Sequence, residues 1–269
     1  MNQPFLMKSC ETQFKLDMAD TLRFGTLSYF RMHKDPEIGD DAESAFEFKI
    51  DTSGMHNFSR QLIQGAFLRV VNFGVKVPVL FRPCSFSHEE IEFGPGTADR
   101  VSLRIKGLNF RTEGSDAFIF CMSQVDRAHE APRVGYADQW KIDVKNAEAF
   151  AKIAVEQFNS LRRRDWRKYL PDDSKCELYQ NARFQISFGS VTYQPRLVWL
   201  FNPNDGEMYQ LVRSLQNSDF LKEDRYSHQA EFRFCVRLVA EGGILPLNSS
   251  LVFLDLDAAP FRRFLVKQA

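Results

Sequence analysis

The chain has 269 residues, 44% hydrophobic and 26% charged, a composition typical of a soluble globular protein that can bury a core. Lys+Arg and Asp+Glu both number 35, so the net charge of zero gives no general attraction to nucleic acid or to anionic membranes. The cysteines lack CxxC spacing, no apolar run approaches the length of a membrane span, and the first residues lack a signal-peptide pattern. These features predict a cytoplasmic protein with no membrane partner.

The first half of the chain shows strand patterns separated by turn residues. Aromatic and β-branched residues predict two strands over 21–31, broken at Gly25, and the Asp, Pro and Gly that follow predict a loop that includes 35–37. Clean alternation predicts a half-buried strand over 45–51. The next predicted strands are two within 66–86, one over 100–110 and one over 117–125.

The second half adds two helices to the predicted sheet. Apolar residues at helical spacing predict a helix over 146–166, capped by Asn146 and ending in three arginines. A shorter helix is predicted over 205–221, and strands over 183–194 and 229–239. The chain is therefore predicted to be a single α+β domain over 1–269, with a mixed or mostly antiparallel sheet and a few helices.

Familiar catalytic and metal-binding signatures are absent from the sequence. It has no Gly-rich phosphate loop, no GxSxG and no HExxH, and its histidines show no paired ligand spacing. Cys84 and His88 lie four residues apart, but no third orienting group is near, so a loop cysteine is the preferred interpretation. No metal site is predicted.

Four polar residues on predicted strands remain as candidates. Arg23 lies in the apolar "TLRFGTL", Ser123 lies where "FIFCMSQ" turns polar, and Gln229 and Glu231 begin the last long strand. Because side chains alternate along a strand, Gln229 and Glu231 are predicted to point the same way. Each residue also has a structural interpretation: Arg23 pairing with a surface carboxylate, Ser123 in a turn, and Glu231 on a solvated face.

Together these residues carry a family resemblance. An arginine on an early strand, a serine at the end of a middle strand and Gln-x-Glu near a late strand resemble the arginine–serine–glutamate class of ADP-ribosyltransferases. The segments "LRFGTLSYFRMHKDPEIGDDAE", "FIFCMSQ", "YADQWKIDV" and "KEDRYSHQAEFRF" resemble an uncharacterised bacterial family similar to the DarT-like toxin ADP-ribosyltransferases, over about 20–50, 117–144 and 220–237. The chain departs from that pattern in having Gln229 where Glu is more frequent, and a single serine in "CMSQ".

The resemblance implies an ADP-ribosyltransferase-like fold and a reaction on NAD. Cleavage of the nicotinamide–ribose bond passes through an oxocarbenium-like transition state, which a carboxylate stabilises. By resemblance Glu231 takes this role and Gln229 orients the incoming nucleophile, although an amide cannot act as a general base. Arg23 would bind the pyrophosphate or the adenosine ribose, and Ser123 would support Glu231 by a hydrogen bond.

Three further features have two interpretations each. Tyr29 and Phe30 are candidates to stack on nicotinamide, with core packing as the alternative. Arg233 lies on the predicted face of Glu231, and a pair between them is either purely structural or holds the carboxylate ionised. The loop that includes 35–37 either covers the pocket or is only a turn.

The segment "LRRRDWRKY" is a local basic cluster and a candidate nucleic-acid-binding surface. Its cations are candidates to bind an RNA or DNA acceptor, with Trp166 and Tyr169 as stacking aromatics; they are Arg162, Arg163, Arg164, Arg167 and Lys168. The alternative is a helix C-terminus with cations that match the helix dipole.

The leading hypothesis is an NAD-dependent mono-ADP-ribosyltransferase of toxin or phage-defence type in a bacterial cytoplasm. Its expected acceptor is RNA, DNA or protein, and an antitoxin protein is a candidate partner. The alternative is a non-catalytic module on the same scaffold that binds a nucleotide or a partner protein. A hydrolase of nuclease type is a third hypothesis, which the lack of a predicted metal site disfavours.

Overall fold

The computed structural model describes residues 4–34, 40, 44–67, 84–113, 116–126, 135–171, 176–240 and 243–266. The strands are β1 Phe5–Cys10, β2 Thr21–Thr26, β3 Ala45–Asp51, β4 His56–Ser59, β5 Cys84–Ser87, β6 Glu90–Gly94, β7 Arg100–Lys106, β8 Leu108–Glu113, β9 Phe118–Val125, β10 Asp138–Asp143, β11 Arg183–Ser190, β12 Thr192–Gln194, β13 Leu197–Phe201, β14 Leu221–Glu223, β15 Glu231–Ala240, β16 Gly243–Leu245 and β17 Phe253–Asp257. The α-helices are α1 Leu27–Met32, α2 Arg60–Phe67, α3 Ala147–Arg164, α4 Cys176–Gln180 and α5 Asp205–Gln216.

The chain divides into two compact units. Unit 1 comprises Met1–Asp41, Asp116–Thr192 and Arg225–Ala269, and unit 2 comprises Ala42–Ser115 and Tyr193–Asp224. The predicted α+β class with mostly antiparallel strands and few helices is confirmed. The single domain over 1–269 and the ADP-ribosyltransferase-like fold stay predictions. Within the described residues, no helix is long and apolar enough to cross a membrane.

Unit 1 is built on one sheet with β9 near its centre. The strand order is β10-β1-β9-β15-β11, and β2 pairs with β9 beyond the point where β1 stops. β17 extends the sheet beside β2, and β16 pairs with the end of β15. The apolar run of β9 therefore has paired neighbours on both sides, as its composition predicted.

The core of unit 1 is a phenylalanine layer between this sheet and α3. Alternation puts Phe118 of β9 and Phe234 of β15 on the face that α3 covers, where Phe158 and Phe150 meet them at ring-centroid distances of 5.3 and 4.8 Å. All four side chains are fully buried. The residues between them on β9 and β15 consequently point to the opposite face, which carries the candidate site.

Unit 2 contains a four-stranded sheet, a three-stranded sheet and a separate core. One sheet has the order β13-β3-β8-β5, with β13 parallel to β3, and the other has the order β4-β7-β6. The core joins Phe46, Phe48 and Ile50 of β3 to residues of both sheets and of α5. α5 begins with a complete capping box, in which Asn204 accepts hydrogen bonds from the helix and Glu207 bonds back to the Asn204 backbone.

Several predicted elements are corrected by the structure. The segment 21–31 is a strand followed by α1, because the Thr26 side chain accepts a hydrogen bond from Tyr29 N and starts a helix. The segment 100–110 is two strands, because the backbone leaves the extended conformation at Gly107, whose φ of +61° suits glycine, and β7 and β8 join different sheets.

The helix boundaries also differ from the predicted ones. α3 begins at Ala147, but Asn146 has helical dihedrals and makes no capping hydrogen bond, because a 3₁₀ turn over Val144–Asn146 leads into the helix. The predicted helix over 205–221 ends as α5 at Gln216, and a 3₁₀ turn over Ser218–Phe220 follows. The predicted loop 35–37 and most of the segment 66–86 lie outside the described residues.

Candidate functional site

Glu231 and Ser123 lie directly opposite each other across the β9–β15 pair. The antiparallel register pairs Glu231 with Ser123 and Arg233 with Cys121. Residues directly opposite in an antiparallel pair share a sheet face, with Cβ atoms about 4.5–5.5 Å apart. The structure therefore brings together two of the predicted site residues, on the face turned away from the phenylalanine core. The predicted hydrogen bond between them stays a prediction.

The Glu231 carboxylate forms a buried ion pair with Arg233. Arg233 donates from Nε and from Nη2 to Oε1 of Glu231, each at 2.7 Å. The side chains of Glu231 and Arg233 are 7% and 1% exposed, so the interpretation of Glu231 as a residue on a solvated face is wrong. The two residues are two positions apart on one strand, which puts both side chains on the same face.

The surroundings of this ion pair combine a protonated thiol and open space. Burial and then the Glu231 carboxylate raise the pKa of Cys121 to about 12, so the thiol is protonated at neutral pH and unsuited to act as a nucleophile. On the other side of β15 the register pairs Arg233 with Gly189, where an added Cβ would meet no atom of the described residues within 4 Å. The described residues thus leave space above Gly189, whereas Arg233 itself is only 1% exposed.

Lys141 is a buried charge on the same face that sequence reasoning missed. Register pairs Lys141 with Met7, and Met7 with Ser123, which continues the row that contains Glu231. Lys141 is only 7% exposed. The alternation of "DQWKID" puts Lys141 on the sheet face opposite to the core residues Trp140 and Ile142. This pattern could have predicted the face of Lys141, but not its neighbours in the sheet.

Arg23 lies on the same sheet face but is already paired. Gly25 is opposite Ile119, so alternation along β2 and β9 puts Arg23 on the face of Ser123. Arg23 donates from Nε and Nη2 to the two carboxylate oxygens of Asp255, at 2.8 and 3.1 Å. The hydrogen bond to Asp255 raises the pKa of Arg23, whose side chain is 55% exposed. This is the surface pairing that the sequence left open as the alternative.

Tyr29 and Phe30 lie in α1 instead of on a strand, which corrects the predicted position of both residues. The Phe30 ring covers Gly25 so closely that an added Cβ would lie 2.8 Å from its Cε2 atom. Tyr29 packs on Phe253 with ring centroids 4.5 Å apart. Both rings are therefore engaged in packing near Arg23, and both are half-buried.

Gln229 is not on β15, which corrects the predicted alternation with Glu231. It ends a 3₁₀ turn over Asp224–Gln229, and the next residue, Ala230, has a φ of +43°. Ala230 N donates to Ser227 O at 3.1 Å and closes the turn. Because the chain changes direction at Ala230, strand spacing no longer puts Gln229 and Glu231 on one face. Gln229 is buried, and its role in orienting a nucleophile stays a prediction.

The basic segment is only partly available for a ligand. Tyr169 is 1% exposed in the core of unit 1, packed edge-on against Phe184, so it is not a surface stacking residue. Arg162 donates to the backbone oxygens of Tyr179 and Gln180, and burial lowers its pKa. The exposed cations of the segment are Arg163, Arg164, Arg167 and Lys168. Their role in binding RNA or DNA stays a prediction.

Within the described part of the chain, no group of three His, Cys, Asp or Glu residues is arranged to hold a metal ion. Comparison of the chain with protein-family models, with curated proteins and with solved structures finds no match in any of the three. The assignment of a function therefore depends on the geometry of unit 1 and on the chemistry of its side chains.

Proposed function

We propose that the protein is an NAD-dependent mono-ADP-ribosyltransferase of toxin or phage-defence type, with Glu231 as its catalytic carboxylate. The observation that supports this proposal most directly is the register that pairs Glu231 with Ser123. A buried carboxylate on the sheet face opposite the core is costly unless it is paired, and such groups are frequent at functional sites. The proposed acceptor is RNA, DNA or protein in a bacterial cytoplasm, and an antitoxin protein is a proposed partner.

In the proposed reaction, the bond between C1′ of the ribose and the nicotinamide nitrogen breaks, and its electron pair leaves with nicotinamide. Glu231 stabilises the positive charge that develops on the ribose, and it accelerates the reaction only to the extent that this contact strengthens in the transition state. The acceptor nucleophile then bonds to C1′ and releases its proton to water. Gln229 cannot take that proton, because an amide is not a base.

Arg233 is proposed to orient Glu231, since it holds one carboxylate oxygen through two N–H groups. Arg23 is proposed to bind the pyrophosphate, and to do so it must exchange or share its contact with Asp255. An exposed ion pair contributes only about 0–1 kcal/mol, so a phosphate can compete for this guanidinium.

The experiment is transfer of adenylate-labelled NAD to a bacterial extract, with nuclease and protease digestion to identify the acceptor. We expect wild type to transfer the label and Glu231→Gln to lose transfer by at least about 100-fold, as for removal of one transition-state contact. Glu148→Gln is the matched control, because Glu148 is an exposed carboxylate on α3 that pairs with Lys152. Absence of labelling by wild type, or full labelling by Glu231→Gln, would refute the proposal.

A second candidate function is a non-catalytic module that binds a nucleotide or a partner protein. One observation favours it: Glu231 and Arg23 are both already paired, with Arg233 and Asp255. This function predicts binding of NAD or a nucleotide without turnover, which isothermal titration combined with chromatography of the nucleotide would detect. It also predicts normal growth on expression, whereas an active transferase without its antitoxin should arrest growth.

A further inference from the structure

The edge strand β13 of unit 2 exposes a row of large apolar side chains. Its sequence, "LVWLF", contains no charged residue and no proline. Leu197, Trp199 and Phe201 are 47%, 64% and 60% exposed, while Val198 and Leu200 pack against the core of unit 2. Alternation thus gives one buried and one exposed apolar face. A strand that is apolar on its solvent face is unusual, and large exposed apolar patches mark interaction sites.

The backbone of the same three residues points away from the sheet. Glu47 N donates to Arg196 O, and Asn202 N donates to Asp51 O, so the even-numbered residues of β13 direct their backbone groups toward β3. In a parallel ladder the backbone groups of alternate residues point to opposite sides of the strand. The N–H and C=O groups of Leu197, Trp199 and Phe201 therefore point to the side away from β3. Among the described strands, β13 pairs with β3 alone.

Natural proteins usually protect such an edge with lysine, proline, a bulge or a covering element, because the unpaired backbone groups of an open edge can pair with another strand. β13 has no residue of these kinds between Leu197 and Phe201. Trp199 donates from Nε1 to Asp51 Oδ2 at 3.0 Å, and Asp51 belongs to β3. This bond directs the indole toward its own sheet and away from the outer edge of β13.

We propose that β13 is a self-association edge that pairs antiparallel with β13 of a second copy of this chain, about a twofold axis at Trp199. In this register Trp199 is opposite Trp199 of the second copy, and Leu197 is opposite its Phe201. The three residues that point outward on each strand then exchange six N–H···O bonds, because hydrogen-bonded pairs recur at every second residue.

The occupant is a second copy because the strand is complementary to itself. Each of the three rungs places two apolar residues opposite each other, and no charge lies on a rung. A twofold interface also closes on itself, so the pairing stops at two copies and does not continue into a fibre. The sheets of the two copies join into one continuous sheet.

The size of the contact predicts a weak dimer. Trp199 and Phe201 are aromatic side chains, which can bury about 150–250 Å² each, and Leu197 is smaller. With about half of each side chain exposed, the three offer at most roughly 300–400 Å² per copy, and strand pairing covers only part of that area. A standard interface buries about 800 Å² per partner, so we expect a dissociation constant on the order of 10–100 µM.

The first experiment is sedimentation equilibrium of the full chain over a concentration series that brackets that range. We expect a reversible monomer–dimer equilibrium, and we expect Trp199→Lys to weaken it by at least about 10-fold, because lysine is the residue that blunts natural edges. Phe93→Lys is the matched control, since Phe93 is 61% exposed on β6 of the same unit, and it should dimerise as wild type does. Thermal unfolding checks that each variant is folded.

The second experiment tests the register by oxidative cross-linking. The Cα atoms of a hydrogen-bonded antiparallel pair are about 5.5 Å apart, within the range of a disulfide, so Trp199→Cys should form a covalent dimer. Leu197→Cys should not, because four residues separate the two copies of this position along the strand, about 13 Å. Wild type controls for the native cysteines.

Three results would overturn the inference: a monomer at all concentrations, a dimer that Trp199→Lys leaves intact, or cross-linking through position 197 in place of 199. Binding of a different protein by a monomeric wild type, lost in Trp199→Lys, would assign the edge to a heterologous partner and also overturn it. The outcome is independent of the proposed transferase activity, because no measurement uses NAD.

Discussion

The buried Glu231–Arg233 pair allows a quantitative test that separates a structural role from a catalytic one. Replacing Glu231 by Gln removes the charge of the carboxylate that Arg233 contacts, and the Arg233 guanidinium is only 1% exposed. Breaking a buried ion pair in this way costs about 3–5 kcal/mol. At about 2–4 °C per kcal/mol for a chain of this size class, the unfolding midpoint should fall by roughly 6–20 °C. Arg233→Met should cost a similar amount, because it leaves the carboxylate buried.

The double variant Glu231→Gln/Arg233→Met should be more stable than either single variant. Replacing both members of a buried ion pair by uncharged groups is often close to neutral, so we expect a coupling free energy of several kcal/mol in the double-mutant cycle. Urea unfolding followed by far-UV circular dichroism measures all four proteins. A coupling free energy below about 0.5 kcal/mol would refute the importance of the pair, since mutations at distant, independent sites are additive only to within that amount.

The same double variant decides the catalytic role. If the only role of Glu231 is to pair with the charge of Arg233, the folded double variant should transfer ADP-ribose as wild type does. If Glu231 contacts the ribose, the double variant should be folded and inactive. In the single variant Glu231→Gln, a loss of activity could result from a loss of stability. The double variant separates the two causes.

Three further predictions concern positions outside the ion pair. Asn204→Ala should destabilise the protein by about 0.5–2 kcal/mol in urea unfolding, whereas Asn146→Ala should change the free energy of unfolding much less, because only Asn204 makes capping hydrogen bonds. Gly25→Ala should cost about 1–3 kcal/mol in the same assay, since its Cβ would meet the Phe30 ring, and no loss would mean that the ring moves freely. Because the pKa of Cys121 is raised to about 12, its thiol should be alkylated negligibly in the native protein at pH 8, and the alkylation rate should still rise with pH above 10. Peptide mapping measures this rate. Rapid alkylation of Cys121 at pH 8 would contradict the prediction.

The sequence predicts which sheet face a site residue occupies, but not which distant residues it contacts. Alternation on β15 correctly put Glu231 and Arg233 on one face, because that relation spans only two residues. The bidentate contact between Arg23 and Asp255 joins residues 232 positions apart, and no local pattern indicates it. Gln229 was assigned to the strand because the run of alternating residues extends past Ala230, whose left-handed backbone ends the pattern without a glycine to mark it.

Three core elements of unit 1 are predictable from local pattern. The helical spacing of Phe150 and Phe158 predicts α3, the apolar run of β9 predicts a central strand, and the pattern over 229–239 predicts β15. That β9 and β15 are neighbours, in the register that puts Ser123 opposite Glu231, follows from tertiary packing. Periodicity encodes the face that a side chain occupies, whereas the neighbour across a sheet depends on which distant strands pack together.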